Sequence, residues 1–114
     1  MSPSEGVGAA AVQVVLVTVP DAQVAGRLAR ALVEERLAAC VNLVPGIRSI
    51  YRWAGAVQEE EEVLLVIKTR EDRVEALSQR VHELHPYEVP ELIAVGVFGG
   101  SERYLAWLRE EAAP

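Results

Sequence analysis

The chain has 114 residues, 51% of them hydrophobic and 25% charged, with 17 acidic side chains against 11 basic ones and a formal charge of -6. That length and apolar fraction suit one small globular domain that buries about two-thirds of its unfolded surface, and the acidic balance leaves no basic field to attract a nucleic-acid backbone. The longest apolar run, Val63 to Ile67, is far too short to cross a bilayer, so neither nucleic acid nor a membrane is an expected partner.

Residues 1–11 lack a basic n-region and a long apolar stretch and read as a flexible tail; residues 12–114 read as a single domain. Val12 to Val19 is Val-rich and stopped by Pro20, which predicts a strand. Asp21 stands at an N-cap position, and Val24, Leu28, Ala31 and Leu32 follow at helical spacing, predicting an amphipathic helix that ends near Leu37. Val41 to Trp53 is strand-like but interrupted by Pro45-Gly46, where a bulge is expected. Ala54-Gly55 makes the next turn, and Val57 to Lys68 completes a hairpin. Thr69 to Asp72 has the spacing of a capping box, hydroxyl first and acid three places on, opening a second helix with the stripe Val74, Leu77, Val81 and Leu84. Pro86 ends it. Leu92 to Phe98 reads as a fourth strand, Gly99-Gly100 as a turn, and Ser101 as the cap of a short helix with Tyr104, Trp107 and Leu108 on one side.

The order is βαββαβ plus a terminal helix, an α+β pattern. Right-handed crossovers then place both main helices on one face of an antiparallel sheet, a ferredoxin-like arrangement with the first and third strands central. These two strands carry the most continuous apolar runs, so the uncovered face is expected to be bare hydrocarbon and to pack against other copies.

Few residues suggest chemistry. Cys40, the one cysteine, reads as a small buried thiol or, less simply, as a nucleophile; a lone thiol forms no internal disulfide and fits the cytoplasm. His82 and His85, three apart at a helix end, offer two imidazoles to a metal that wants at least three ligands, or simply sit well at a helix C-terminus. Four consecutive glutamates, Glu59 to Glu62, alternate between strand faces and cannot all converge on one ion, which suits a solvated or edge-protecting run. Lys68, at the end of a central strand, is placed to pair with Glu62 or Glu91.

Four segments then give a resemblance: Arg36-Leu-Ala-Ala-Cys-Val-Asn42, Ser49-Ile-Tyr-Arg-Trp-Ala-Gly55, Glu62-Val-Leu-Leu-Val-Ile-Lys-Thr69 and His85-Pro-Tyr-Glu-Val-Pro-Glu91. Together with Tyr104-Leu-Ala-Trp107, they resemble the CutA divalent-cation tolerance family across about residues 12–110. The resemblance implies a tight homotrimer of ferredoxin-like subunits, built like the PII signalling proteins, that takes part in divalent metal ion (copper) tolerance and response and catalyses no reaction. It also implies a metal role for His85, and an intersubunit cleft formed by Cys40, Trp53, Glu62, Lys68, Tyr87 and Glu91. Val17 and Leu84 stand where some members carry a Cys and a His ligand, so any Cu(II) or other divalent cation is expected to bind weakly or indirectly. The rival expectation is a PII-like sensor that holds a small anion in the cleft through Lys68 and arginines.

Overall fold

In the computed structural model, which describes residues 10–114, the first strand β1 spans Val12–Val19, as its valine run predicts. Most of the expected tail, residues 1–9, lies outside the described residues. Its last two positions are tied down, because the Ala10 carbonyl accepts the Arg109 side chain at 2.8 Å and the Ala11 carbonyl accepts the Glu71 N–H at 2.8 Å.

Helix α1 covers Ala22–Glu34, and the Asp21 carboxylate caps it by accepting the Val24 N–H at 2.9 Å. The helix stops three residues before the expected Leu37, because Arg36 turns the chain at φ 60. The Arg36 and Leu37 N–H groups then return to the Val33 and Leu32 carbonyls, a Schellman closure with arginine in the usual glycine position. That turn sends Leu37 into the core, where it is buried outside the helix.

Strands β2 (Cys40–Trp53) and β3 (Ala56–Arg70) form a long hairpin with the expected bulge, since the register slips by one residue between Val44 and Ile47. Gly46 takes φ 76 there. At the tip Ala54 and Gly55 both have positive φ, as a type I′ turn requires.

The expected capping box does not form. Thr69 and Arg70 stay in β3, where the fully buried Thr69 hydroxyl donates to the Leu37 carbonyl at 2.7 Å, and Asp72 accepts the Arg70 guanidinium at 2.6 and 3.0 Å. Tertiary partners prevail over the local cap. A 3₁₀ turn at Glu71–Arg73 leads instead into α2, Val74–Leu84, which buries Leu77 and Val81 and half-buries Val74 and Leu84, as its stripe predicts. Strand β4 is shorter than expected, Ile93–Gly96, and Phe98 beyond it is fully exposed. Helix α3, Glu102–Glu111, is capped by the Ser101 hydroxyl, but its inner side is Leu105, Leu108 and Ala112. Tyr104 and Trp107, read as sharing a side with Leu108, are exposed and stack on each other with centroids 5.5 Å apart.

The four strands make one antiparallel sheet in the order β2-β3-β1-β4, so β1 and β3 are central as expected. Val15, Val17, Val19, Val63, Leu65 and Ile67 face α1 and α2 and form the main core. The alternate residues face the other way, and antiparallel partners share a face. Val14 pairs with Val95 and Leu16 with Ile93; on the other side Leu16 pairs with Val66, and Leu64 with Val44. This second face is capped only at one end, where α3 packs on Val12. Val44, Ile93 and Val95 are exposed on the rest of it.

Candidate functional site

Past the bulge, the residues of β2 that share the uncovered face become the odd-numbered ones: Ile47 sits opposite Glu62, Ser49 opposite Glu60 and Tyr51 opposite Gln58. The hairpin floor is therefore acidic and aromatic. The chain after α2 rises beside it, because Pro86 and Pro90 prevent helix and Pro90 is buried. Between floor and wall lies an open groove of about 1000 Å³, with Trp53 toward the hairpin tip, Thr18 at the base, and Tyr87, Glu88 and Glu91 along the wall. Four carboxylates line it, of Glu60, Glu62, Glu88 and Glu91, and among the described residues no lysine or arginine does.

Glu62 anchors the groove. It is only 5% exposed, and one of its oxygens accepts the Tyr87 hydroxyl at 3.0 Å while the other has no donor among the described residues. The neighbouring Glu60 accepts the Tyr51 hydroxyl at 2.7 Å. Burial, reinforced by the hydrogen bond to Glu62, pushes the Tyr87 hydroxyl well above the ordinary tyrosine range. The bond to Glu60 raises that of Tyr51. Both phenols therefore stay protonated at neutral pH and act as donors to the carboxylates.

His85 stands behind this wall, 6% exposed, as the residue that closes α2. Its Nε2 donates to the Thr18 carbonyl at 2.7 Å, and its Nδ1 accepts the Tyr87 N–H at 3.1 Å, an assignment of the proton fixed by the two partners. The imidazole ring also lies 4.7 Å from the Tyr87 ring. His85 thus holds the Tyr87 turn against β1, with both nitrogens engaged. His82, by contrast, is exposed and bonds back to the Ser78 carbonyl of its own helix. Among the described residues no three His, Cys, Asp or Glu side chains come close enough to hold one metal ion.

Of the residues singled out in the sequence, Trp53, Glu62, Tyr87 and Glu91 line this groove and His85 supports it. Cys40 and Lys68 do not. They pair across β2 and β3 at the opposite end of the same sheet face, next to α3. Lys68 lies six residues from Glu62 along one strand, about 20 Å, and it bonds to the Asn42 side chain, not to Glu62 or Glu91. The Cys40 thiol is half-buried, 4.0 Å from both Asn42 Oδ1 and Lys68 Nζ. Burial and the neighbouring Cys40 raise the Tyr104 hydroxyl above its usual range.

Thr18, Ser49, Tyr51 and Gln58 also line the groove without having been singled out, while Glu60 belongs to the glutamate run noted above. Two-residue alternation counted onward from the bulge is the signal that finds Ser49 and Tyr51; Thr18 enters only through tertiary structure.

Residues 13–111 match the family described as CutA1 divalent ion tolerance protein. Among curated relatives, the divalent-cation tolerance protein CutA of Thermus thermophilus is 56% identical over 98 residues, covering 86% of this chain and 95% of that protein. Human protein CutA is 52% identical over 99 residues, 87% of this chain but 55% of that longer protein. The solved structure of the Thermus thermophilus divalent cation tolerance protein superposes with a TM-score of 0.88 at 54% identity, covering 90% of this chain and 99% of that one.

Proposed function

The chain belongs to the CutA1 divalent ion tolerance family, and from that premise we propose that it is a non-enzymatic homotrimer of the cytoplasm, acting in tolerance of and response to divalent metal ions, copper among them, which it binds weakly or indirectly. The observation that carries this reading is the groove itself, four carboxylates without a lysine or arginine among its described lining. Such a groove draws cations by its field. Its carboxylates are nevertheless spread along floor and wall and do not close on one ion, so affinity stays low.

The subunit supports a ferredoxin-like, PII-like trimer, with β1 and β3 central, both main helices on one face, and exposed Val44, Ile93 and Val95 on the other. In such a trimer the Cys40–Lys68 end of one subunit and the Glu62–Tyr87 end of another meet only across an interface, which is how all the cleft residues share one site. The half-buried lone thiol supports a reducing compartment. The rival reading, a small anion held by Lys68 and arginines, needs those donors brought in from another subunit, because the groove of one subunit has four carboxylates and, among its described lining, no lysine or arginine.

His85 enters metal binding only by giving up its bond to Thr18 or to the Tyr87 N–H, which keeps Cu(II) binding weak. Copper titration by calorimetry on the purified protein and on His85→Ala tests this. Weak binding that weakens further in the variant is expected. Identical isotherms remove His85 as a ligand, and tight stoichiometric binding by the unaltered protein overturns the weak-binding reading.

A further inference from the structure

We propose that Lys68 of one subunit enters the acidic groove of the next and pairs with Glu62, so that each groove is completed by a neighbouring copy. The proposal rests on the reading that the protein is a trimer, and it names the charge pair that closes each interface. Lys68 is the one lysine in the chain. It is half-buried, its ammonium bonds to the Asn42 side chain, and it has no carboxylate partner among the described residues. Glu62 is buried, with the Tyr87 phenol as its donor and no lysine or arginine beside it among the described lining of the groove. A charge taken out of water without an opposite charge is costly, and covering this sheet face desolvates both further. The pair cannot form within one subunit, because six residues of one strand, about 20 Å, separate the two.

The placement of the two charges fits a head-to-tail contact. Glu62, Leu64, Val66 and Lys68 alternate along β3 on the uncovered face, which therefore has an acidic end, an apolar middle and a basic end. Copies laid head to tail around a ring cover the apolar middle and set each basic end against an acidic one. Both ends also carry exposed aromatic rings beside the charge: Tyr104 and Trp107 near Cys40 and Lys68, and Trp53 at the groove. Such rings exclude water around a charge pair at the centre of an interface, and the attraction between the charges is strongest there.

Subunit exchange between isotopically labelled and unlabelled full-length protein, followed by native mass spectrometry, tests the pairing. Lys68→Met and Glu62→Gln nearly keep side-chain size, and each should speed exchange about tenfold or more, because each leaves the opposite charge buried alone. The double variant leaves neither charge and should exchange no faster than the faster single one. Carbodiimide, which condenses an ammonium with a carboxylate in contact, should join Lys68 to Glu62 and give covalently linked chains on a denaturing gel. The distance between the two within one chain means that this cross-link runs between subunits. Single-variant effects that simply add in the double variant, or a cross-link from Lys68 to another carboxylate, would overturn the pairing. A light-scattering mass of one chain refutes the trimer reading, whereas a mass of three chains with additive variants refutes this inference alone.

Discussion

Asp72 shows how a residue can satisfy a sequence rule and serve another purpose. Its carboxylate sits at the acidic position of a capping pattern but accepts two hydrogen bonds from Arg70, whose side chain is almost wholly buried and also donates to the Arg109 carbonyl. Arg70 holds the Asp72 carboxyl below its ordinary range. A lowered native pKa contributes stability that is complete above the unfolded value, near about 4, and is lost as pH falls through the native one. Asp72→Asn should therefore be less stable than the unaltered protein at pH 7, and the gap should close on acidification toward pH 3, as read by urea unfolding at the two pH values. Half of the Asp72 side chain is in solvent, so the gap is modest. Caps that depend on one neighbouring turn, Asp21 and Ser101, were legible from sequence, because nothing distant competes for their oxygens. Thr69 was not, because the carbonyl it needs belongs to Leu37, brought alongside only by the folded sheet.

At the scale of elements, periodicity located every strand and helix, and errors gathered at the ends. The stripe of α2 was legible because Leu77 and Val81 recur at one helical face with nothing to contradict them. Leu77 is fully buried in the main core, so Leu77→Ala should cost about 2–5 kcal/mol in chemical denaturation. In α3 the sequence pointed to the aromatic side, yet the helix buries Leu105 and Leu108 against Val12. Two aromatics one turn apart can stack on each other in water as well as pack inward, and the pattern does not distinguish the two. The hairpin tip invites a different change. Ala54 holds a left-handed conformation that asparagine tolerates better, beside a glycine already suited to it. Ala54→Asn should raise stability by about 0.5–1 kcal/mol, seen as a higher urea midpoint with an unchanged slope.

The described residues of one subunit span 52 × 25 × 22 Å, and their length comes from a hairpin of 14- and 15-residue strands that outruns both β1 and the helices. No described residue of the subunit covers the far part of that hairpin or most of the second sheet face, and Trp53 near the tip is 51% exposed. Light scattering at micromolar concentration should give the mass of three chains. Trp53→Ala should lower the association constant while leaving subunit unfolding nearly unchanged, because an exposed ring adds little to its own core but anchors an interface well. Ile93→Lys, on the edge strand of the bare face, should shift the mass toward that of one chain. The bare face was legible as a consequence of two-sided apolar strands. The groove was legible only in part: Glu62, Tyr87 and Glu91 carry recognisable local motifs, whereas its sign and shape come from a wall and a floor that are distant in sequence.

That sign depends on the bulge in β2. Before Pro45-Gly46 the even positions of β2 share the face of Glu62; after it the odd ones do, which is why Tyr51 and Trp53 line the groove while Arg48 and Arg52 point away. Straightening the kink with every residue kept would give an unbroken alternation and slip the outer half of β2 by one place against β3, exchanging Tyr51 and Trp53 for Arg48 and Arg52 above the same glutamates. The guanidinium groups would then neutralise the carboxylates from within. Pro45-Gly46 thus acts as a punctuation mark for the rest of the strand: without altering one groove side chain, it decides whether this end of the molecule solicits positive charge or supplies its own.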